Sequence, residues 1–495
     1  MAEKILETYN LDAHGLSVNI TIKDEGGFTP IYYILIPGLG DATKILLQSL
    51  RQELISMVPI DIMKIESKEY IGELTDRYSE ASNILIDRYL PGTAKDSKKV
   101  IIAYVVNVML GLGELEAPLA DENLEEVVVN NSSENAWVYH KVYGWCRTNI
   151  RLQNENAIYN DAEQIGRRVG RQITNLSPLM DAELPDGSRV NATLYPISQK
   201  GNTLTIRKFG KNPWTMPAMI GNGTISPEIA SLVWLCIENE ISILISGGTA
   251  SGKTSFLNAM SIFMPATRRI ISVEETRELT LPDFLHWVPM LTRQPNPEGK
   301  GEIKLYDLMI NALRQRPDIV LIGEVRTKPD AETLLEAIHT GHAVYGTVHA
   351  DNAEDTIIRM TNPPIDTPKI MLNAFGSVVS LLRHRRLGIR RLLDFGEILN
   401  DGNVNSIYRW DVSTDTFVKN GDFKRLLDTI ILYGGYSKNE IADELAKKSK
   451  ILSWMVKNKI YDVNDAGLVV VNYYKNREKI LELAEEDVKF SNDIL

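Results

Sequence analysis

The stretch ISILISGGTASGKT, residues 241–254, joins a continuous apolar run to a G-x-x-x-x-G-K-T loop. The run Ile241 to Ser246 predicts a buried strand, and Lys253 to Phe263 predicts the helix that the loop opens. Small residues in such a loop let successive backbone N–H groups converge on a phosphate, and the helix N-terminus adds positive potential. Gly247, Gly248, Thr249, Ala250, Ser251 and Gly252 would form the cradle, Lys253 would reach the β- and γ-phosphates of ATP, and Thr254 would hold Mg²⁺. A glycine-rich turn arising by chance is the alternative, and the strand–loop–helix context argues against it.

Downstream, strands and helices alternate. Arg269 to Glu274, Ile319 to Ile322 and Ala343 to Val348 read as apolar strands, and residues 306–316 and 330–339 as helices. Continuous Ile- and Val-rich runs of this kind belong to a parallel sheet covered on both faces, so the class is α/β, with a P-loop nucleotide-binding core. Three further elements sit at strand ends. Ile319 to Glu324 (IVLIGE) finishes in a carboxylate that can hold Mg²⁺ opposite the loop; an Asp commonly precedes that Glu, and Gly323 stands there instead. Its bland reading is that Glu324 pairs with Arg326 at the surface. The run VEETRE, residues 273–278, offers Glu274 as the carboxylate that orients or deprotonates the attacking water, against the alternative of a solvated acidic turn. In TGHAVYGTVH, residues 340–349, a polar or histidine sensor at the end of the strand, hydrogen-bonding towards the γ-phosphate, explains the placement. Zinc is disfavoured although His339, His342 and His349 lie close together, because a fourth ligand and the short ligand spacing are missing.

The rest of the chain is read around this core. Residues 1–100 mix short apolar stretches with helical segments at 44–57 and 73–90, and carry no motif; they are read as a partner or specificity region. Residues 101–211 hold an apolar helix and short β-rich runs (126–130, 136–140, 203–208), predicting an α+β domain. Residues 212–227, NPWTMPAMIGNGTISP, are dense in Pro and Gly and are read as a flexible linker. The ATPase domain is assigned to 228–400 and a mainly helical region to 401–495, where Ser437 and Glu440 form a capping box. The expected fold is thus an α/β, RecA-like P-loop ATPase core with an α+β N-terminal domain and helical extensions at both ends.

Composition narrows the partners. Of 495 residues, 54 are Lys or Arg and 65 Asp or Glu, a net charge of -11 that disfavours bulk nucleic-acid binding. Cys146 and Cys236 can form neither a disulfide framework nor a CxxC zinc site, which fits a reducing cytoplasm. The first ten residues carry charges where a signal peptide needs an apolar core, and the most apolar run, 100–113, is too short to span a membrane. The expected location is cytoplasmic, with membrane association only through a partner.

Taken in order, the phosphate loop, VEETREL, LRQRPDIVLIGEVR and TGHAVYGTVHA resemble the Walker A motif, Asp box, atypical Gly-Glu Walker B motif and His box of the secretion ATPases of the type II and type IV pilus superfamily. Gly323 becomes part of that resemblance. LEEVVVN (124–130), VYHKVYGW (138–145) and DGSRVN (186–191) look like the family's N-terminal domain, so the resemblance covers about 101–395. VYHKVYGW and RQRPDIVLIGEVR look most like archaeal members, which include archaellum and archaeal pilus motors; the paired CxxC insertion of many bacterial members is absent.

The resemblance implies that Lys253 and Thr254 bind phosphates and Mg²⁺, Glu274 is the catalytic glutamate, Glu324 the Walker B carboxylate, and His342 and His349 the His box. Arg189 and Arg207 stand where members present N-terminal-domain arginines to the nucleotide; solvated strand arginines are the alternative. The implied machine is a homo-hexameric ring acting on a polytopic inner-membrane platform protein. Two other functional classes compete with this reading. A RecA-like nucleic-acid translocase could use the basic strip Arg383, His384, Arg385, Arg386, Arg390 and Arg391, but the net charge opposes it. A GTP switch or inert scaffold lacks support, since no NKxD motif occurs and both Glu274 and Glu324 are present.

Overall fold

The computed structural model describes residues 4–40, 43, 46, 47, 50–59, 68–184, 186–210, 212–295 and 299–491. The chain divides into two compact units, residues 1–211 and 212–495.

The first unit is built on a sheet of β1 (Lys4–Ala13), β2 (Leu16–Asp24), β3 (Ile31–Leu35), β4 (Leu124–Val129), β5 (Trp137–His140), β6 (Gly144–Thr148), β7 (Leu179–Glu183), β8 (Arg189–Thr193) and β9 (Thr203–Arg207). Its order is β1-β2-β3-β6-β5-β4-β9-β8-β7, antiparallel except where β3 meets β6. Alternation dictates the faces: in LSVNITIKD of β2, Leu16, Val18, Ile20 and Ile22 point into the core and the residues between them do not. Two expectations are corrected here. Residues 1–100 do not stand apart from 101–211, because β3 pairs with β6 and the Tyr32 hydroxyl donates to Asp121 Oδ2 at 2.6 Å. The N-terminal extension is not helical throughout: up to Leu35 the period-two pattern of runs such as 16–24 makes strands, and helix follows, with residues 43, 46 and 47 and the Arg51–Met57 segment helical among the described residues. The apolar run at 100–113 lies mainly in the Lys95–Leu110 helix, which buries Ile101, Tyr104, Val105 and Asn107. No single helix among the described residues is long and apolar enough to cross a membrane.

The second unit carries β10 (Ile243–Gly247), β11 (Arg269–Glu274), β12 (His286–Leu291), β13 (Ile319–Ile322), β14 (Ala343–Val348), β15 (Ser377–His384), β16 (Ile389–Ile398), β17 (Val404–Asp411) and β18 (Thr416–Lys419), in the order β12-β11-β13-β14-β10-β15-β16-β17-β18. From β12 to β15 neighbouring strands are parallel; β16, β17 and β18 add antiparallel. Every residue of β10, β13 and β14 is buried, as strands covered on both faces require.

Two boundaries move. The sheet runs on past residue 400 through β17 and β18, so helix begins only at Leu426. Its four helices, Leu426–Gly434, Lys438–Lys457, Val463–Lys475 and Arg477–Glu485, complete the unit, and the Ser437–Glu440 capping box forms as expected. Residues 212–227 are not a free linker either. Pro217 is the second residue of the short Met216–Gly221 helix, in the first turn where its missing N–H costs nothing, and Met216, Met219 and Ile225 are buried in the core. Thr215 Oγ1 donates to the Tyr461 carbonyl at 3.0 Å, and Ser226 caps the Pro227–Glu238 helix. Lys448, fully buried between Glu238 (2.8 Å) and Glu444 (3.0 Å), ties the Lys438–Lys457 helix to that one.

Candidate nucleotide site

Functional groups of open parallel sheets gather beyond the carboxyl ends of the strands. Here β11, β13, β14 and β10 are consecutive neighbours, and the segments leaving their carboxyl ends carry Glu274, Glu324, His349 and the phosphate loop. The local sequence explains each turn. A Cβ at Gly247 would meet Ser251 Oγ at 2.3 Å and the Leu381 carbonyl at 2.6 Å, so only glycine lets β10 turn into the loop. Gly252, at φ +100°, hands the loop to the Lys253–Met260 helix, of which Thr254 is the second residue.

Lys253 is 8% exposed; its Nζ donates to the carbonyls of Gly247 (2.8 Å) and Gly248 (3.1 Å) and lies 3.3 Å from His349 Nδ1. Burial pulls its ammonium pKa down, against the attraction of Glu324. His349 Nε2 is 3.5 Å from Glu324 Oε1, and burial with the nearby Lys253 lowers its pKa, favouring the neutral ring. Lys253, His349 and Glu324 therefore form one connected group.

Glu324 also accepts from Arg326 Nη2 at 2.9 Å, and Arg326 bridges on to Glu275. The pairing read as the bland alternative thus exists, within the site. A Cβ at Gly323 would touch Cα and Cγ of Glu274 at 3.4 and 3.5 Å, so any side chain longer than a methyl would press on that glutamate. This is a physical reason for glycine where Asp is more common.

Glu274 is 1% exposed. Its Oε1 accepts from the N–H groups of Glu278 (2.9 Å) and Leu279 (3.1 Å), while Oε2 is buried without a partner among the described residues. Burial raises its pKa to about 7, against the pull of those two N–H groups. A buried carboxylate oxygen without a donor is costly unless something else engages it. Ser251 Oγ in the loop is likewise buried and unpartnered. Beside the loop an open cleft is lined by Gly248, Thr249, His349, Asp351, Asp355 and Arg359. A looped cradle, a hydroxyl at Thr254 and an acceptor at Glu324 are the donor set that a Mg²⁺–triphosphate uses, so the residues present fit that group.

Other expected residues fall elsewhere. His342 precedes β14 at its amino end, roughly 20 Å of strand from His349. It bonds to the Ala337 carbonyl (3.0 Å) and Thr340 Oγ1 (3.1 Å), so it is not part of this cluster: the length of β14 places its two flanking histidines at opposite ends of the strand. Arg189 and Arg207 are directly opposed on β8 and β9, inside a cross-strand row Glu126–Arg207–Arg189–Glu183. Paired residues share a face, so each arginine has an acidic neighbour on its own sheet. One contact was missed in sequence: Arg390 Nε donates to the Ala250 carbonyl at 3.0 Å. Its only sequence signal was membership of the basic strip.

Comparison with known proteins gives three findings. Residues 112–387 match the family described as Type II/IV secretion system protein. Two uncharacterized proteins of Methanocaldococcus jannaschii are similar. One is 39% identical over 348 residues, 69% of this chain and 46% of the relative. The other is 34% identical over 379 residues, 74% of this chain and 68% of the relative. The chain therefore spans about half the length of the first relative and about two thirds of the second. Among solved structures, the Legionella pneumophila ATPase DotB is similar at 17% identity and a TM-score of 0.43, over 71% of this chain and 92% of that one.

Proposed function

The chain belongs to the Type II/IV secretion system protein family, and from that premise we propose that it is a Mg²⁺-dependent ATPase motor of a secretion or pilus machine. The observation that carries the reading is the convergence of a phosphate loop, Glu324, His349 and the half-partnered Glu274 at four adjacent strand ends. Lys253 leaves the Gly247 and Gly248 carbonyls for the β- and γ-phosphates, and the loop N–H groups take the remaining phosphate oxygens. When bound, Mg²⁺ held by Thr254 and Glu324 neutralises charge on the phosphate oxygens. Glu274 Oε2 takes a proton from the attacking water, whose oxygen bonds to the γ-phosphorus as the bond to the bridging oxygen breaks, leaving ADP and phosphate. His349, between Lys253 and Glu324, follows whether the γ-phosphate is present.

The finer reading is a homo-hexameric ring with its sites at subunit boundaries, where Arg189 and Arg207 supply cations. In this reading the ring works at the cytoplasmic face of the membrane on a polytopic platform protein, driving an archaeal pilus or archaellum. Similarity to two proteins of an archaeon supports that branch. The test is phosphate release from ATP with Mg²⁺ and with EDTA, by wild type and Lys253→Ala, beside light-scattering mass with and without a non-hydrolysable ATP analogue. The expected result is Mg²⁺-dependent release, lost in Lys253→Ala, and a sixfold mass with the analogue. A wild type that releases no phosphate overturns the ATPase reading, and one that stays monomeric overturns the ring.

A further inference from the structure

The basic strip has no role in the function above. It lies on the β15–β16 hairpin, where Arg383 and Arg390 are directly opposed and Arg385 and Arg386 occupy the exposed turn. Arg391 is committed internally: its guanidinium holds Asp415 through two 2.8 Å bonds and the Asn222 carbonyl at 3.2 Å.

Arg390 points to the phosphate loop instead. Its Nε reaches the Ala250 carbonyl, and a Cβ at Gly252 would sit 3.6 Å from its Cδ, so the side chain runs along the loop from Gly252 to Ala250. Ala250 is held at φ +59°, a left-handed conformation that costs a residue with a Cβ roughly 1 kcal/mol or more. A phosphate cradle turns its N–H groups inward and its carbonyls outward, and outward carbonyls need partners of their own. Those of Gly247 and Gly248 are held by Lys253, which must let go when it takes a phosphate. Arg390, which makes no bond to the Gly247 or Gly248 carbonyls, can keep the Ala250 carbonyl throughout. The same strand is tied to the turn that precedes the Pro227–Glu238 helix: Thr224 Oγ1 donates to the Arg390 carbonyl at 3.3 Å, and Leu392 N–H to the Thr224 carbonyl at 2.7 Å.

We propose that Arg390 is a positioning residue for nucleotide binding, which fixes the Ala250 carbonyl outward, keeps the loop N–H groups converged, and links the loop to the Asn222–Thr224 turn. This rests on the ATPase reading of the same site. Arg390 acts through the loop and makes no demand on the water-activating groups, so its loss weakens binding and spares the chemical step.

The test uses the full chain: binding of a fluorescent ATP analogue and steady-state ATP hydrolysis for wild type, Arg390→Met, Arg390→Gln and Arg390→Lys, with thermal unfolding of each. Arg390→Met keeps the apolar stem and removes the donor. It is expected to weaken analogue binding and raise KM for ATP about five- to tenfold, the worth of one ordinary intramolecular hydrogen bond, with kcat within about twofold. Arg390→Lys, which retains a donor of similar reach, recovers most of the affinity, and Arg390→Gln falls between. Should Arg390→Met unfold, a raised KM in Arg390→Gln supports the proposal and an unchanged one overturns it. Equal binding by wild type and Arg390→Met overturns this role alone, as does a fall in kcat at constant KM. A wild type that binds no analogue overturns the ATPase reading instead.

Discussion

The parallel part of the second sheet, β12 to β15, and its antiparallel part, β16 to β18, each bury one glutamate near a strand end, and they treat it in opposite ways. Glu397 on β16 is fully buried and accepts from Asn405 Nδ2 (2.8 Å) and from the N–H groups of Lys424 (2.6 Å), Arg425 (2.9 Å) and Leu426 (2.7 Å). Four donors saturate it, and it staples the start of the Leu426–Gly434 helix to the sheet. Glu274 on β11 is as deeply buried, yet its Oε2 has no donor among the described residues. Burial alone therefore does not distinguish the two; the count of satisfied lone pairs does, and on that difference rests the proposal that Glu274 is the chemical one.

The comparison can be broken by exchanging each glutamate for its amide. Glu274→Gln should lower kcat at least about 100-fold, the usual weight of a general base, without lowering the unfolding temperature. Steady-state kinetics and calorimetry on one preparation check both halves. If the arginines of the first unit reach the nucleotide of a neighbouring subunit, Arg189→Ala with Arg207→Ala should lower kcat at least about tenfold while leaving analogue binding intact. A loss of stability with kcat unchanged would instead leave them as members of their cross-strand row with Glu126 and Glu183.

A pH profile sharpens the role of Glu274. Its carboxyl sits at about 7 because it is buried, and only the ionised form can take a proton. So kcat should rise about tenfold between pH 6 and 8 and then level off. Stability runs the other way. A carboxyl whose folded pKa is raised favours the folded state while protonated, so this contribution is full below about 4.5 and is lost as pH climbs towards 7. Wild type should lose unfolding temperature relative to Glu274→Gln across that window. The smallest effect on activity belongs to Glu397→Gln. It turns an amide N–H towards backbone donors, costs about 1–3 kcal/mol of stability, and leaves kcat of the folded protein within about twofold.

The same contrast explains what could be read in the sequence. Four strands of the parallel part, β10, β11, β13 and β14, were legible because each is a continuous apolar run with the candidate site residues at its end or within two residues of it: Gly247 at the end of β10, Glu274 at the end of β11, Glu324 after β13, His349 after β14. Local order along the chain was enough. β12 escaped because Pro289 lies within it, and a proline in a run argues against a strand unless that strand is at an edge, which β12 is. β16 to β18 escaped because charged and polar residues interrupt their apolar runs: on β16 Arg391, Asp394 and Glu397 are buried and find their partners only through the tertiary fold, and β18 is largely exposed. Residues 212–227 look like a linker by composition, yet a helix begins there with Pro217 in its first turn, and two methionines find a core that only the tertiary fold supplies. His342 was drawn in by proximity along the chain to His349, and six strand residues separate them in space. The contact of Arg390 with Ala250 spans 140 residues, beyond any local pattern.

The measurement that tests the account most directly is a single-turnover experiment on Glu274→Gln: radiolabelled ATP and Mg²⁺ are mixed with excess protein, and the bound nucleotide is separated and identified. The account predicts that the variant binds ATP as tightly as wild type and returns it intact, whereas wild type returns ADP and phosphate. Conversion of bound ATP by Glu274→Gln at the wild-type rate would contradict the central assignment, because the unpartnered oxygen of Glu274 would then have no part in the chemistry.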